Sequence, residues 1–193
     1  AESGLLVVSD MQSAGRGRRG RGWESPAGTN IYYTLMLKPD FSSDCAPMLT
    51  LVMALAVAKG IRQTLRRDSE EAAAKVGIKW PNDIVVDGKK VCGILTEMSM
   101  EQGYIQHIVI GVGINVRKQE FPEEIRDRAA AIDEQCGFHI SRSQLIADIM
   151  EAFEEDYEIF LQTHDLKGLR ASYAELLVNQ DREVCVLDPK GEY

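Results

Sequence analysis

Nowhere in its 193 residues does the sequence hold about 18 consecutive apolar residues, so nothing in it reads as a membrane span. The opening residues, Ala1 to Gly4, lack the basic and apolar regions of a secretory leader, and the absence of Met at position 1 suggests a processed chain or an internal fragment. Four cysteines, Cys45, Cys92, Cys136 and Cys185, lie far apart without a C-x-x-C pair, which excludes both a zinc framework and a disulfide scaffold. Three scattered histidines, His107, His139 and His164, form neither an H-E-x-x-H ligand pair nor an arguable Ser-His-Asp set. Net positive charge is also missing. Lys plus Arg number 22 against 30 Asp plus Glu, a formal charge of −8, which argues against broad binding to a nucleic-acid backbone. A cytoplasmic enzyme with reduced thiols is the class that remains.

One segment departs from the acidic average. Arg16, Arg18, Arg19 and Arg21 place four arginines in six positions, interleaved with Gly15, Gly17, Gly20 and Gly22 and followed by Trp23. Glycines let backbone N–H groups approach an anion, and guanidinium forks suit phosphate or carboxylate. The segment has no G-K-[S/T] ending of a phosphate loop, and no helix opens after it as a dinucleotide turn requires. It reads as a long flexible loop that holds a small anionic ligand; an Arg/Gly nucleic-acid tail and a plain solvated loop are the competing readings.

The coarse pattern places strands at Leu5–Ser9, Asn30–Leu37, Val76–Trp80, Ile84–Val86, Val91–Met98 and Gly103–Gly111, with residues 76–116 forming a three-stranded antiparallel meander. Met48–Arg66 reads as a long apolar-rich helix with little solvent face, apolar residues at helical spacing predict a helix from Arg142 or Ser143 to Leu161, and Leu166–Leu177 is mostly a further helix. Asp68–Lys75 is helical or irregular, and Phe121–Ile125 begins a short helical or loop region. Arg182–Leu187 alternates like a strand before an Asp188–Gly191 turn. Strands and helices interleave without βαβ regularity. The predicted class is α+β, a mixed, mainly antiparallel sheet with helices on one face.

Three further motifs carry chemistry. Lys79-Trp80-Pro81-Asn82-Asp83 ends a strand with a cation beside oxygen-bearing side chains; a turn with a surface lysine is the plain alternative. Gly93-Ile94-Leu95 and Gly113-Ile114-Asn115 mark places where backbone approaches something closely, a ligand or the core.

Taken in order, Gly15 to Trp23, Ser25-Pro26 with Gly28 and Asn30, Lys79 to Asp83, Gly93 to Leu95 and Gly113 to Asn115 resemble the catalytic domain of the biotin protein ligases. The match is close over residues 5–37 and 76–116 and looser over 48–66 and 140–190. The resemblance implies a class II aminoacyl-tRNA synthetase-like, biotin–lipoate ligase fold. It implies ATP-dependent formation of biotinoyl-5′-AMP with Mg²⁺, then transfer to one lysine of a biotin carrier protein. By that likeness Lys79 and Arg18 are catalytic. Arg16, Arg19 and Arg21, with Gly15, Gly17 and Gly20, belong to the loop that closes over the ligand; Arg21 contacts phosphate and Trp23 lines the adenine side. Gln12 meets the ureido ring, the backbone of Gly93, Ile94 and Leu95 lines the biotin tail, and Asn30, Gly113 and Asn115 complete the ligand-binding set, with Asn115 near the nucleotide or metal.

The metal ligands stay unassigned. Residues 1–180 are expected to be the catalytic domain without the family's earlier strand, helix and Ser/Thr-Thr-Asn segment, and 181–193 the start of a small β-barrel. No DNA-binding domain is expected within these residues, and the molecule is expected to be a monomer or a sheet-edge homodimer. A lipoate-type ligase and a non-enzymatic nucleotide- or anion-binding module are the alternatives.

Overall fold

The computed structural model describes residues 2–183. Most of the expected strand over Arg182–Leu187, the turn after it and Cys185 lie outside the described residues. Six strands form one sheet: β1 (Leu5–Ser9), β2 (Ile31–Leu37), β3 (Val76–Lys79), β4 (Asp83–Val86), β5 (Lys89–Glu101) and β6 (Tyr104–Ile114), in the order β1-β2-β6-β5-β4-β3. Every strand pairing among the described residues is antiparallel, and parallel contacts are confined to the isolated bridges Ile78–Leu177 and Lys90–Ala129. Residues 76–116 thus form a four-stranded meander: the four strands read there are all present and pair in sequence order, so the count of three was one too few. Val76–Lys79 and Asp83–Val86 pair as separate strands around the Trp80-Pro81-Asn82 turn.

The helices are α1 (Leu49–Arg66), α2 (Glu70–Ala74), α3 (Ile132–Cys136), α4 (Arg142–Thr163) and α5 (Arg170–Leu176). Ser141 caps α4, its hydroxyl accepting from the Gln144 amide at 3.3 Å. The short α3 was not expected, and α5 starts later than its apolar pattern suggested. No helix forms over Phe121–Ile125, where the chain turns instead.

Period-two alternation decides what each sheet face does. Ile31, Tyr33, Leu35 and Leu37 of β2, Cys92 and Ile94 of β5, and Ile108, Ile110, Val112 and Ile114 of β6 are buried toward α1. By length and composition alone the segment Ser43–Arg66 is apolar enough to cross a membrane, with a mean hydropathy of 1.5. Its place in the fold accounts for that composition. Helix α1 lies between the sheet and α4, and Val52 through Ala58 are fully buried. Gly60 allows the close approach, since a Cβ there would stand 2.5 Å from Ile149 Cγ1 of α4. The helices thus occupy one face of the sheet and leave the other open.

Candidate ligand-binding and catalytic site

The open face carries a row of residues that are far apart in sequence. Strand register sets Lys79 opposite Asp83, Asp83 opposite Gly93, Gly93 opposite Gly113, and Gly113 opposite Tyr32. Three of the four sequence motifs therefore meet along one line across five strands. Because Gly93 and Gly113 lack side chains, they leave a shallow window in this row, and Trp23 fills it. A Cβ on Gly93 would lie 2.9 Å from Trp23 Cζ3, and one on Gly113 would lie 2.5 Å from Trp23 Nε1. The Lys90 ammonium sits 5.5 Å from the indole centroid and 2.6 Å from Asp83 Oδ1. Trp23 Nε1 is buried against this glycine floor without a hydrogen-bond partner among the described residues.

Seating Trp23 anchors one end of the arginine segment. The segment is not structureless, as expected of it, but closes on itself: Arg16 and Gly22 bridge, Trp23 N–H donates to Gly15 O at 3.0 Å, and Gly17 N–H donates to Arg21 O at 2.7 Å. Gly15, Gly17 and Gly20 do stand at the spacing of a dinucleotide-binding turn, yet the chain leaves them as this small hairpin and the next α-helix starts only at Leu49. At its tip Arg19 adopts φ 59°, a left-handed conformation unusual for a residue with a side chain.

The arginines divide. Arg16 makes a bidentate pair with Glu97, Nη1 to Oε1 at 3.1 Å and Nη2 to Oε2 at 2.8 Å. Arg18 Nη1 donates to Asn82 Oδ1 at 2.6 Å, and Asn82 is itself locked to β5, its side-chain Nδ2 donating to Ile94 O at 3.1 Å while its backbone carbonyl accepts from Ile94 N–H at 3.0 Å. Arg19 and Arg21, with Arg16, Gly17, Gly20, Leu95 and Glu97, line a cleft of about 290 Å³. Lys79 is exposed at the end of β3, beyond the cis Trp80–Pro81 peptide from Asn82. The site thus offers guanidinium groups and an ammonium beside an indole ring laid on a glycine floor, an arrangement suited to an anion with a planar ring system.

Other expected residues take different places. Gln12 sits at the loop root, where its Oε1 accepts from Ser25 Oγ at 2.9 Å and its amide nitrogen has no partner among the described residues. The Asn30 side chain is buried and committed. Its Nδ2 donates to Tyr32 Oη at 3.0 Å and Gln119 Oε1 at 2.9 Å, and its Oδ1 accepts from Val116 N–H at 3.0 Å. Burial raises the Tyr32 phenol pKa above its ordinary value, partly offset by the hydrogen bond from Asn30. Asn115 is likewise buried, donating to Ala130 O at 3.3 Å. The Ile94 side chain points into the core, so only its backbone faces this region. The structure therefore does not bring the Asn30, Asn115 and Ile94 side chains to the cleft. It gives Asn82 of the Lys79–Asp83 motif a partner in Arg18 and adds Lys90 and Glu97, which had no place in the expected site; the i, i+2, i+4 spacing of Gly93, Leu95 and Glu97 was the available signal for the last.

Known proteins resemble this chain in sequence and fold. Residues 1–115 match the biotin/lipoate A/B protein ligase family. The bifunctional ligase/repressor BirA of Bacillus subtilis is 42% identical over 179 residues, covering 90% of this chain and 53% of its own length. The Escherichia coli protein of the same name is 32% identical over 161 residues, covering 83% and 48%. The chain thus spans about half the length of these curated relatives. The structure of Aquifex aeolicus biotin protein ligase in complex with biotin and ATP superposes with a TM-score of 0.76 at 29% identity, covering 92% of this chain and 70% of that one. The strands from β1 to β6, the arginine loop, the glycine window and Lys79 all fall within the matched residues, and the chain belongs to the biotin/lipoate A/B protein ligase family.

Proposed function

We propose that this chain activates biotin with ATP to biotinoyl-5′-AMP, releasing pyrophosphate, and transfers the biotinoyl group to a specific lysine of a biotin carrier protein. The observation that carries this reading is the row Lys79–Asp83–Gly93–Gly113 with Trp23 seated on it and the arginine loop folded above. Joining a carboxylate to an α-phosphate brings two anions together, and charge builds further as pyrophosphate leaves. Lys79 and Arg18 reduce that repulsion, and Arg19 and Arg21 hold phosphate oxygens. Gln12 offers a free amide to the ureido ring, while the backbone of Gly93, Ile94 and Leu95 flanks the tail. Trp23 covers the floor beside the nucleotide. Asn30, Gly113 and Asn115 contribute through the backbone they shape or hold. The loop shields the activated acyl group from water.

Among the described residues no three carboxylate, histidine or cysteine side chains converge as a metal cage. Mg²⁺ would enter on the triphosphate oxygens, where it would neutralise phosphate charge.

In the same reading residues 1–180 are the catalytic unit, and the thiols of Cys45, Cys92 and Cys136, none of them in a disulfide, suit a reducing cytoplasmic setting. The exposed apolar β1 edge, with Leu5, Val7 and Val8, is compatible with a monomer or a homodimer.

The test is pyrophosphate release from ATP with biotin, with lipoate and with neither. Release that needs biotin, together with retained biotinoyl-AMP, supports the reading. Release with lipoate alone reassigns the substrate, and nucleotide binding without turnover leaves a binding module.

A further inference from the structure

Four arginines crowded into six positions repel one another, so their arrangement depends on where their charge is met. In this structure one carboxylate meets it. Glu97 extends from β5 on the open face, two residues beyond Leu95 and four beyond Gly93, and holds Arg16 through both guanidinium nitrogens. The Arg16 backbone bridges to Gly22, so an anchor on Arg16 holds both arms of the loop hairpin at once. The contact made by Arg18 is of another kind. Asn82 is neutral, and an incoming phosphate can replace it without leaving a charge unpaired.

We propose that Glu97 is a positioning residue: by fixing Arg16 it seats the loop over Leu95 and leaves Arg19 and Arg21 to face the ligand. Arg16 is then an anchor for the loop and not a phosphate ligand. The consequence for catalysis, slower escape of the activated acyl-adenylate, rests on the function proposed above; the anchoring itself does not.

The test begins with the unliganded chain under limited trypsin digestion, following cleavage between Arg16 and Arg21. Glu97→Gln keeps the shape and removes the charge, and is expected to raise the cleavage rate about three- to fivefold, the range of a bidentate pair exposed to solvent. Arg16→Glu alone should open the loop, and Arg16→Glu with Glu97→Arg should restore protection; these two variants lack the same tryptic site, so their rates compare directly. The melting temperature of Glu97→Gln should match that of the parent chain. With biotin and ATP, Glu97→Gln should release biotinoyl-AMP faster by a similar factor, and the reversed pair should recover retention. Equal cleavage of Glu97→Gln and the parent chain, or a reversed pair as open as Arg16→Glu, overturns the proposal. Faster cleavage without biotin-dependent pyrophosphate in any variant supports the anchor and removes the biotin-activating reading instead.

Discussion

Trp23 rests so closely on Gly113 that a Cβ at position 113 would stand 2.5 Å from the indole nitrogen. This contact joins the arginine loop to the sheet, because Trp23 ends the loop hairpin and Gly113 lies in the row that reaches Lys79.

Gly113→Ala should therefore unseat Trp23. The strand itself tolerates alanine, so the cost is the clash, about 1–3 kcal/mol for overpacking a tight contact. Indole fluorescence should shift toward that of solvent-exposed tryptophan, and biotin-dependent pyrophosphate release should fall at least tenfold. Gly113→Ala combined with Trp23→Ala should regain thermal stability but not turnover. An unchanged emission spectrum in Gly113→Ala would contradict the window.

Lys79 is exposed and makes no ion pair among the described residues, so its removal should leave the fold intact. Lys79→Ala should lose about 10²-fold or more in the rate of adenylate formation while biotin affinity changes little, as expected of a charge that matters most in the transition state. Single-turnover kinetics with a parallel binding titration separates the two effects. Equal loss in both would make Lys79 a binding residue only.

Gly60→Ala should destabilise the helix pair despite alanine's better helix propensity, which is worth about 1 kcal/mol. The new Cβ would meet Ile149 Cγ1 at 2.5 Å and the Ile149 backbone at 2.8 Å, so α1 and α4 must separate. A net loss of about 1–3 kcal/mol is expected and is read from chemical denaturation. Gly60→Ala with Ile149→Ala should recover part of it.

Asp148 joins the same two helices. Its carboxylate is buried and accepts from Thr64 Oγ1 at 2.6 Å, Arg67 Nη1 at 2.5 Å and Nη2 at 2.8 Å, and Gln144 Nε2 at 3.0 Å. Burial pushes its pKa up, but the hydrogen bonds from Arg67, Thr64 and Gln144 outweigh burial and hold it below the ordinary aspartate value. A folded pKa below the unfolded one means stability that is present above the unfolded pKa and lost as pH falls through the folded one. Asp148→Asn should cost about 2 kcal/mol at neutral pH, the range for hydrogen bonds to a charged group. Its melting temperature should also fall less than that of the parent chain between neutral pH and the acid range below the usual aspartate pKa. Parallel acid limbs for the two proteins would remove Asp148 from the pH dependence.

Much of this was legible in the residues themselves. The Arg/Gly run, the Lys79–Asp83 motif and the glycines at 93 and 113 announced anion chemistry and close backbone approach, because those residue types are costly elsewhere. The apolar richness of Met48–Arg66 marked α1 as a helix with little solvent face, and the aromatic and β-branched run over Asn30–Leu37 marked β2 as a strand. The separation of β3 from β4 was legible in Pro81-Asn82-Asp83, whereas α3 was missed because five residues hardly show a period.

What the sequence by itself determined, then, is the chemical inventory and most of the secondary structure, since these follow from side-chain type and spacing along the chain. Only the tertiary structure decided which groups meet. Antiparallel register put Lys79, Gly93 and Gly113 on one line, the missing Cβ atoms made room there for Trp23, and the open face brought Glu97 to Arg16 across 81 positions. The same register turned Ile94 inward, and hydrogen bonds committed the Asn30 and Asn115 side chains. A residue's availability to a ligand depends on what else has already satisfied it, and that is a property of the packed molecule.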